Sequence, residues 1–265
     1  MSDKYTVTAV DRAFEVLESL SQSDEELSLV DLAQETDIPK STLFRILSTL
    51  EDWKCVVRDE KQKTYQLGLR LMELGNAYRD QSDLLDVAEK HMEALARDCQ
   101  ESVFLGMLDG EEIVYVRQKA SRKSAIFVQK LGKRAPVYCT ATGLAMLAFR
   151  PEEEVARILD ASDLEAHTAN TTTDREVLER KLEQIRESGV AVVDGAYNPA
   201  LLCVSAPVFE EEGTPVASVT VALLSARVGE ERIEAMKDRV RSVARELSRE
   251  RGHFEDRPFG VEVTP

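Results

Sequence analysis

The sequence contains few of the residues that build metal centres and nucleophilic active sites. Three histidines and four cysteines occur among 265 residues, and no two cysteines form a C-x-x-C pair or stand at metal-ligand spacing from a histidine. These residues are His91, His167, His253, Cys55, Cys99, Cys139 and Cys203. We therefore expect no metal and no cofactor. Cysteines spaced in this way predict reduced, mostly buried thiols in a cytoplasmic protein.

Long apolar runs are also absent. No segment approaches the ~20 apolar residues that a membrane-spanning helix needs, and the N-terminal Met1–Lys4 does not begin a signal peptide. With 43% hydrophobic and 31% charged residues, the composition predicts a soluble globular protein. The length is enough for about two domains. We expect no membrane association.

Positive charge is scarce, which matters for any interaction with nucleic acid. The chain carries a net charge of −15, and such a bulk charge repels a phosphate backbone. The basic residues are segregated, however. From Pro39 to Arg70 seven Lys and Arg residues stand against four Asp and Glu residues, a net +3, whereas residues 1–38 carry two against ten, a net −8. The segment from Pro39 to Arg70 is therefore where we expect contact with phosphate.

Two short amphipathic helices joined by a turn lead into this basic segment. An apolar face at i, i+3, i+4 predicts the first helix, with Ser28 as its N-cap. Thr36–Pro39 predicts the turn, and Pro39 is suited to start the second helix. The apolar stripes are Leu29, Leu32 and Ala33 in the first helix and Leu43, Ile46, Leu47 and Leu50 in the second. An earlier helix is expected to pack beneath them through Val10, Phe14, Leu17 and Leu20.

The opposite face of the second helix carries hydroxyls and one arginine. Such a face offers donors and acceptors to base edges in the major groove. Pro39–Thr42 adds backbone N–H groups, hydroxyls and a lysine at the helix start, an arrangement that binds phosphate. The DNA-contacting residues predicted on this helix are Lys40, Ser41, Thr42, Arg45, Ser48 and Thr49.

A charged hairpin follows the second helix. Val56–Val57 and Tyr65–Leu67 are predicted as strands, and the turn between them carries Arg58, Lys61 and Lys63. This predicts a wing that lies over the DNA backbone or in the minor groove. Plain helical packing followed by an ordinary charged hairpin is the alternative. The order helix, turn, helix, hairpin favours a winged helix-turn-helix that binds double-stranded DNA.

Strands and helices are interspersed beyond the hairpin. Gly68–Gly75 begins a linker helix. Further helices are predicted over Leu84–Cys99, Thr140–Phe149, Glu152–Leu159, Asp174–Glu187 and Glu230–Arg251. Strands are predicted over Val103–Leu108, Ile113–Val116, Ile126–Val128, Val190–Val193, Leu202–Phe209 and Val216–Leu223. This pattern predicts an α+β second domain around an antiparallel sheet.

Five motifs, in this order and spacing, resemble the IclR family of transcriptional regulators over nearly the whole chain. The motifs are VDRAFEVLESL, PKSTLFRILSTLE, YQLGLRLMELG, TATGLAMLA and GVAVVDGAYNPALLCVSAPVFEEEGTPVASVTV. The resemblance implies a winged helix-turn-helix DNA-binding domain over residues 1–67, a linker helix over 68–82 and a GAF-like effector-binding and oligomerisation domain over 83–265. It also implies dimers or tetramers that repress or activate catabolic operons.

The helix start near Thr140 is the expected effector site. Free N–H groups, the positive end of the helix dipole and two hydroxyls favour a carboxylate there, unless Thr140 merely caps the helix. The resemblance implies ligand contact at Thr140, Ala141, Thr142, Gly143, Asp194, Cys203, Thr220 and Ala222. Leu202 stands where the family commonly has arginine. We therefore expect acids with an apolar or aromatic body, packed on Leu202, Cys203 and Ala222, to bind better than glyoxylate or pyruvate.

These observations predict a sequence-specific regulator of catabolic genes, a repressor rather than an activator, controlled by a small organic acid. One recognition helix covers only a few base pairs, so we expect a homodimer or homotetramer on a pseudo-palindromic operator. The alternative is a cysteine-dependent small-molecule enzyme fused to a DNA-binding domain, with Cys203 or Cys139 as nucleophile. Such a cysteine needs an oriented base such as histidine. None stands in or beside either motif, so we expect no catalysis.

Overall fold

The chain folds as two compact units. The computed structural model describes residues 5–120 and 131–254, and contacts divide the chain into Met1–Ser82 and Asp83–Pro265. The predicted strand Ile126–Val128 lies outside the described residues. Within them, no helix combines the length and the apolar character needed to cross a bilayer.

The first unit consists of helices and a small antiparallel sheet. Its helices are α1 (Thr8–Gln22), α2 (Leu29–Glu35), α3 (Lys40–Asp52) and α4 (Leu69–Asp80), and its strands are β1 (Leu27–Ser28), β2 (Val56–Asp59) and β3 (Thr64–Leu67). The sheet has the order β1-β3-β2. Because β1 runs directly into α2, its pairing with β3 ties the hairpin to the helix-turn-helix.

Local capping fixes where the two short helices begin. The Ser28 hydroxyl accepts hydrogen bonds from the N–H groups of Val30 and Asp31, and the Asp31 carboxylate accepts one from the Ser28 N–H at 2.9 Å. The Ser28 hydroxyl also donates to the Asp31 carboxylate at 2.6 Å, and this bond together with the one from the Ser28 N–H lowers the pKa of Asp31, which also lies at the favourable end of the helix dipole. Asp37 takes a left-handed φ of 52° in the turn, and Pro39 precedes the first residue of α3. The predicted cap and turn are confirmed.

Helix α1 buries a different face from the one that we predicted. Val16 and Leu20 are buried, and Ala13 and Leu17 pack against the same cluster, whereas Val10 and Phe14 are 52% and 63% exposed. Both stripes have helical spacing and share Leu17 and Leu20. Periodicity alone could not choose between them, because the choice depends on the packing of α1 against α3 and β3. The expectation for Val10 and Phe14 is therefore wrong.

The second unit is built on a six-stranded antiparallel sheet. Its helices are α5 (Asp83–Cys99), α6 (Ala141–Leu147), α7 (Glu152–Ala161), α8 (Arg175–Ser188) and α9 (Glu230–Glu250). Its strands are β4 (Ser102–Asp109), β5 (Glu112–Lys119), β6 (Arg134–Pro136), β7 (Ala191–Asp194), β8 (Leu201–Phe209) and β9 (Pro215–Leu224), in the order β6-β5-β4-β9-β8-β7. The predicted α+β class is confirmed. Strand β6 was not predicted, because three residues ending in proline give no strand signal.

Helices cover both faces of this sheet. One apolar cluster packs α5 and α9 on one face, and another packs α6, α7 and α8 on the other. Strand β8 is buried on both sides, so its side chains alternate between the two clusters. Leu202 and Val204 face α5 and α9, whereas Leu201 and Cys203 face α6. This alternation decides which residues can line a cavity on the α6 side.

Candidate functional site

Helix α3 presents a polar face to solvent. Leu43, Ile46 and Leu47 are buried beneath it, which leaves Ser41 and Arg45 exposed on the outer side. The remaining predicted contact residues of α3 are also accessible: Lys40, Ser48 and Thr49 are exposed and Thr42 is half-buried. The structure therefore brings these six residues to one accessible helix surface.

Arg45 is the central cation of this surface. Within the described residues its guanidinium takes part in no hydrogen bond or ion pair. The Thr49 hydroxyl, one turn later, donates to the Arg45 carbonyl at 3.0 Å, so its proton is already used inside the helix. An unpaired guanidinium is free to form a bidentate hydrogen bond to a base edge or a phosphate.

Phe44 is a member of this surface that the sequence analysis missed. Its ring is 54% exposed, next to Arg45 and one turn from Ser41 and Ser48. The signal was available, because Phe44 falls outside the apolar stripe of α3. An exposed aromatic ring at such a position can contact the methyl group of thymine.

The hairpin tip carries two exposed lysines. The Asp59 carboxylate accepts hydrogen bonds from the N–H groups of Lys61 and Gln62 at 2.7 and 3.0 Å, and Lys63 adopts a left-handed φ of 58°. This side-chain-capped turn holds Lys61 and Lys63 at the surface. Neither forms an ion pair within the described part of the chain.

Arg58 lies away from the tip where we predicted it. It belongs to β2, its guanidinium carbon lies 5.8 Å from the centre of the Tyr65 ring, and it approaches Glu60 at 3.6 Å. The aromatic ring and the carboxylate already engage this charge. Arg58 is therefore less available to phosphate than Lys61 or Lys63.

The second unit contains a partly open cavity on the α6 side of the sheet. Its volume is about 40 Å³, room for about three water molecules when one needs ~10–15 Å³. The lining combines aromatic rings, thiols, hydroxyls and one amide. It consists of Phe104, Tyr115, Cys139, Thr140, Ala141, Thr142, Val193, Ala196, Tyr197, Asn198, Leu201, Cys203, Thr220 and Ala222. No member of this lining carries a formal charge.

A chain of buried hydroxyls forms the base of the cavity. Thr220 Oγ1 lies 2.8 Å from both Thr142 Oγ1 and Ser205 Oγ, and Ser205 donates to the Val219 carbonyl at 3.2 Å. Because that carbonyl can only accept, the proton of Thr220 points to Ser205 and the proton of Thr142 points to Thr220. The site therefore offers a ligand the oxygen lone pairs of Thr142, and Thr142 must turn its proton away from Thr220 to donate to a carboxylate.

Thr140 caps helix α6. Its hydroxyl accepts from the Gly143 N–H at 3.1 Å and donates to the Pro136 carbonyl at 3.0 Å. This is the capping alternative considered for Thr140, and it occupies the Gly143 N–H. A Cβ on Gly143 would lie 2.2 Å from the Val137 carbonyl oxygen, so this glycine permits close packing and does not line the cavity.

Two further residues expected at the effector site lie elsewhere. Leu202 belongs to the cluster on the opposite face of the sheet, because Leu201 and Cys203 on either side of it face the cavity. The expected Leu202 wall is therefore wrong, and Leu201 takes its place. Asp194 lies outside the lining, and its carboxylate accepts a hydrogen bond from Ser225 Oγ at 2.6 Å. Burial and the nearby Asp194 raise the pKa of Cys203 to about 12.

The cavity thiols are poorly suited to nucleophilic catalysis. Burial also raises the pKa of Cys139 to about 12, whereas a catalytic cysteine needs a lowered value. No histidine belongs to the lining, and the described residues contain no cluster of three or more metal-ligating side chains. The chemistry of this cavity favours reversible binding of a small molecule.

Comparison with known proteins places these two sites in context. The family of the bacterial transcriptional regulator IclR C-terminal domain matches residues 76–249, and the IclR helix-turn-helix domain matches residues 9–60. The transcriptional regulator KdgR of Escherichia coli K12 is 31% identical over 254 residues, which cover 96% of each chain. The transcriptional repressor AllR of Salmonella paratyphi A is 29% identical over 240 residues, covering 91% of this chain and 88% of that one.

A solved structure agrees with these matches. The crystal structure of Thermotoga maritima IclR superposes with a TM-score of 0.76 at 32% sequence identity, over 92% of this chain and 98% of that one. The family models match segments of both units, and the match to KdgR covers 96% of each chain. The chain belongs to the IclR family of bacterial transcriptional regulators.

Proposed function

We propose that this protein represses catabolic genes by binding a pseudo-palindromic operator, and that a small organic acid in the cavity of the second unit modulates this binding. The observation that carries the proposal is the unpaired Arg45 on the exposed face of α3. In a chain with a net charge of −15, an exposed cation without an internal partner favours an anionic macromolecule such as DNA.

The chemistry of each side chain indicates whether it reads a base or binds a phosphate. Arg45 with Ser41 and Ser48 reads base edges, whereas Lys40, Lys61 and Lys63 neutralise phosphates without regard to sequence. The remaining proposed DNA contacts are Thr42, Thr49 and Arg58. Repression is favoured over activation because the related Salmonella protein AllR is a repressor.

A second copy of the chain is the proposed partner in assembly. Several apolar side chains of α1 and α4 are exposed, and scattered single residues would not require an explanation. Here they recur along two helices: Val10, Phe14, Leu69, Met72, Leu74 and Tyr78. A dimer or tetramer would bury them and would present two recognition helices to two half-sites. Sedimentation of a monomer at micromolar concentration, with and without DNA, would contradict this assembly.

The proposed effector is a compact acid with an apolar body. Phe104, Leu201 and Ala222 supply apolar walls, and Thr142 with Asn198 supplies hydrogen-bonding groups. Because the described lining holds no cation, these neutral groups carry the recognition of a carboxylate. We therefore expect modest affinity for the acid and little preference for highly hydrophilic acids.

Operator selection from random DNA followed by gel shift tests this function. The full-length protein should select a pseudo-palindrome, and one acid in a series from pyruvate to benzoate derivatives should weaken that complex. The primary amide of the same acid is the matched control for the carboxylate. Selection of no preferred sequence would contradict the regulator, and equal potency of acid and amide would contradict the carboxylate.

A further inference from the structure

The loop between β7 and β8, Gly195–Ala200, forms one wall of the effector cavity. Ala196, Tyr197 and Asn198 belong to the lining. Tyr197 and Asn198 are half-buried, whereas Thr142 and Thr220 on the cavity base are buried. This wall loop therefore stands between the buried hydroxyls and the surface.

A second segment, Glu165–Thr171 between α7 and α8, holds the wall loop in place, and we call it the latch segment. Within the described residues no backbone–backbone hydrogen bond joins the two segments. Three side chains of the latch segment instead bind three successive carbonyls. Thr168 Oγ1 donates to Gly195 at 2.7 Å, Thr171 Oγ1 to Ala196 at 2.6 Å and Asn170 Nδ2 to Asp194 at 3.3 Å.

An aromatic stack positions Tyr197 at the centre of the wall loop. The His167 ring lies 5.2 Å from the Tyr197 ring in an edge-to-face arrangement and 6.2 Å from the buried Tyr138 ring in a stacked one. The Tyr138 hydroxyl donates to the Glu165 carbonyl at 2.8 Å. His167 Nε2, 3.2 Å from that hydroxyl oxygen, is therefore the donor between the two rings. Tyr197 thus packs against His167, which is itself hydrogen-bonded to the buried Tyr138.

The free space inside the cavity is small. About 40 Å³ lies below the roughly 300–1,000 Å³ of ligand pockets, which favours movement of one wall when an organic acid binds. The ends of the wall loop are fixed, because Gly195 N–H donates to the Leu201 carbonyl at 2.8 Å and Ser225 Oγ binds Asp194 at 2.6 Å. Among the described residues its middle is joined to the latch segment by side-chain hydrogen bonds alone, and these bonds open at far lower cost than the core unfolds.

We infer that the wall loop is the gate of the effector cavity and that Tyr197, positioned by His167, sets the largest ligand admitted. This inference deepens the proposed function and rests on the cavity being the effector site. The effector enters when the bonds from Thr168 and Thr171 break. A ligand small enough to let Tyr197 return against His167 restores those bonds and stays enclosed.

Thiol labelling of the full-length protein tests the gate without a known effector. Cys203 lines the cavity, whereas Cys99 is buried in the cluster on the other face of the sheet. Methyl methanethiosulfonate is the probe, and peptide mass spectrometry gives a rate for each thiol. Thr168→Val removes the hydroxyl that binds Gly195, so Cys203 should react about tenfold faster while Cys99 is unchanged. Thr168→Ser retains the hydroxyl and should label as the wild type does.

Two outcomes of this labelling would overturn the gate. Cys203 could react at the wild-type rate in both Thr168→Val and Thr171→Val, which would show that the latch segment does not control access. Cys203 and Cys99 could instead accelerate together, which would show a general loosening of the unit. His167→Ala, a variant of an exposed side chain, should accelerate Cys203 alone and guards against a folding defect in the threonine variants.

The role of Tyr197 in size selection needs probes of two sizes. In the wild type, Cys203 should react much more slowly with N-phenylmaleimide than with the small thiosulfonate, after each rate is normalised to Cys55. Tyr197→Ala should reduce the ratio of the thiosulfonate rate to the maleimide rate at Cys203 by about tenfold. If this ratio stays at its wild-type value, Tyr197 does not select ligands by size. An effector-independent operator complex combined with these labelling results would count against the proposed function and leave the gate standing.

Discussion

The two units present their polar side chains in opposite ways. In the first unit Arg45, Lys61 and Lys63 are exposed and form no ion pair within the described residues. In the second unit Thr142 and Thr220 are buried and already hydrogen-bonded to one another. The first unit leaves these three cations unpaired, and the second pairs these two hydroxyls before any ligand arrives.

This difference follows from the partners. DNA carries its own charges and covers a wide surface. The cations that bind it can therefore remain exposed to water in the free protein with little effect on the free energy of unfolding. A small ligand must be taken from water into a closed site, where an unpaired polar group would destabilise the fold. Substitutions in the first unit should therefore alter binding alone, whereas those in the cavity should alter stability as well.

The largest expected effect concerns Arg45. Arg45→Ala should weaken specific operator binding by ~1–3 kcal/mol, because a bidentate contact to a base is lost, and should leave the melting temperature unchanged. Gel-shift titration and thermal unfolding of the same preparation measure both quantities. Arg45→Lys keeps the charge and loses the planar fork, so it should recover only part of the affinity. A lowered melting temperature in Arg45→Ala would contradict the contrast between the units.

A matched pair of hydroxyl deletions sharpens that contrast. Thr220→Val should lower the free energy of unfolding by ~1–3 kcal/mol, because Thr142 and Ser205 lose their shared partner in a buried site. Ser48→Ala removes an exposed hydroxyl from α3 and should change stability by less than ~0.5 kcal/mol. Urea unfolding followed by circular dichroism gives both values. Equal effects of the two substitutions would break the comparison.

Alkaline pH should affect the second unit first. Burial raises the pKa of Cys139 from 9.0 to about 12, so its contribution to stability is full below pH 9 and is lost as the pH rises towards 12. The loss at pH 10 is about 1 kcal/mol. Urea unfolding at pH 8 and pH 10 measures it, and Cys139→Ala should show a smaller alkaline loss than the wild type. An identical pH dependence in the variant would exclude Cys139 as its source.

Phe44 should contribute a smaller amount to sequence preference. Phe44→Ala should weaken operator binding by about 1 kcal/mol, since the ring loses apolar contact with a thymine methyl group. Replacement of dT by dU at each half-site position removes only that methyl. At the position where replacing dT by dU weakens wild-type binding most, Phe44→Ala should cause no further loss of operator affinity. Additive penalties at every position would show that Phe44 does not contact a thymine methyl.

The wing lysines should have the smallest effect on specificity. Lys61→Ala should weaken binding to all sequences alike and reduce the slope of log affinity against log salt by about 1, because one phosphate contact is lost. Gel shifts over a series of salt concentrations with operator and unrelated DNA measure this slope. Gln62→Ala at the same turn is the neutral control. A loss confined to the operator would identify Lys61 as a base-reading residue instead.

The contrast between the units also separates what could be predicted from what could not. On α3 the apolar stripe and the polar face follow from helical spacing, so the accessible positions of Arg45 and Ser48 were predictable. The buried face of α1 was predicted wrongly, because the exposed Val10 and Phe14 satisfy helical spacing as well as the buried Val16 does. Phe44 was not predicted as a contact, because a phenyl ring offers no hydrogen bond to a base edge, although its place outside the apolar stripe indicates exposure.

The sequence by itself determined the features that depend on nearby residues of the chain. The capping box at Ser28 and Asp31, the turn before Pro39 and the hairpin are local, because their contacts join residues close in sequence; the widest pairing of the hairpin is Val56 with Leu67. The family motifs fixed the fold class for the same reason: each motif encodes one local element in a fixed order.

Only the tertiary structure decided the cavity. Thr142 and Thr220 are 78 positions apart and meet because β9 pairs within the sheet beneath α6. Whether Leu201 or Leu202 faces that cavity depends on the strand register, since a shift of one residue exchanges the two faces. The hydrogen bond from Thr168 to the Gly195 carbonyl joins the latch segment to the wall loop. Contacts between distant segments of this kind arise from packing, which no local pattern encodes.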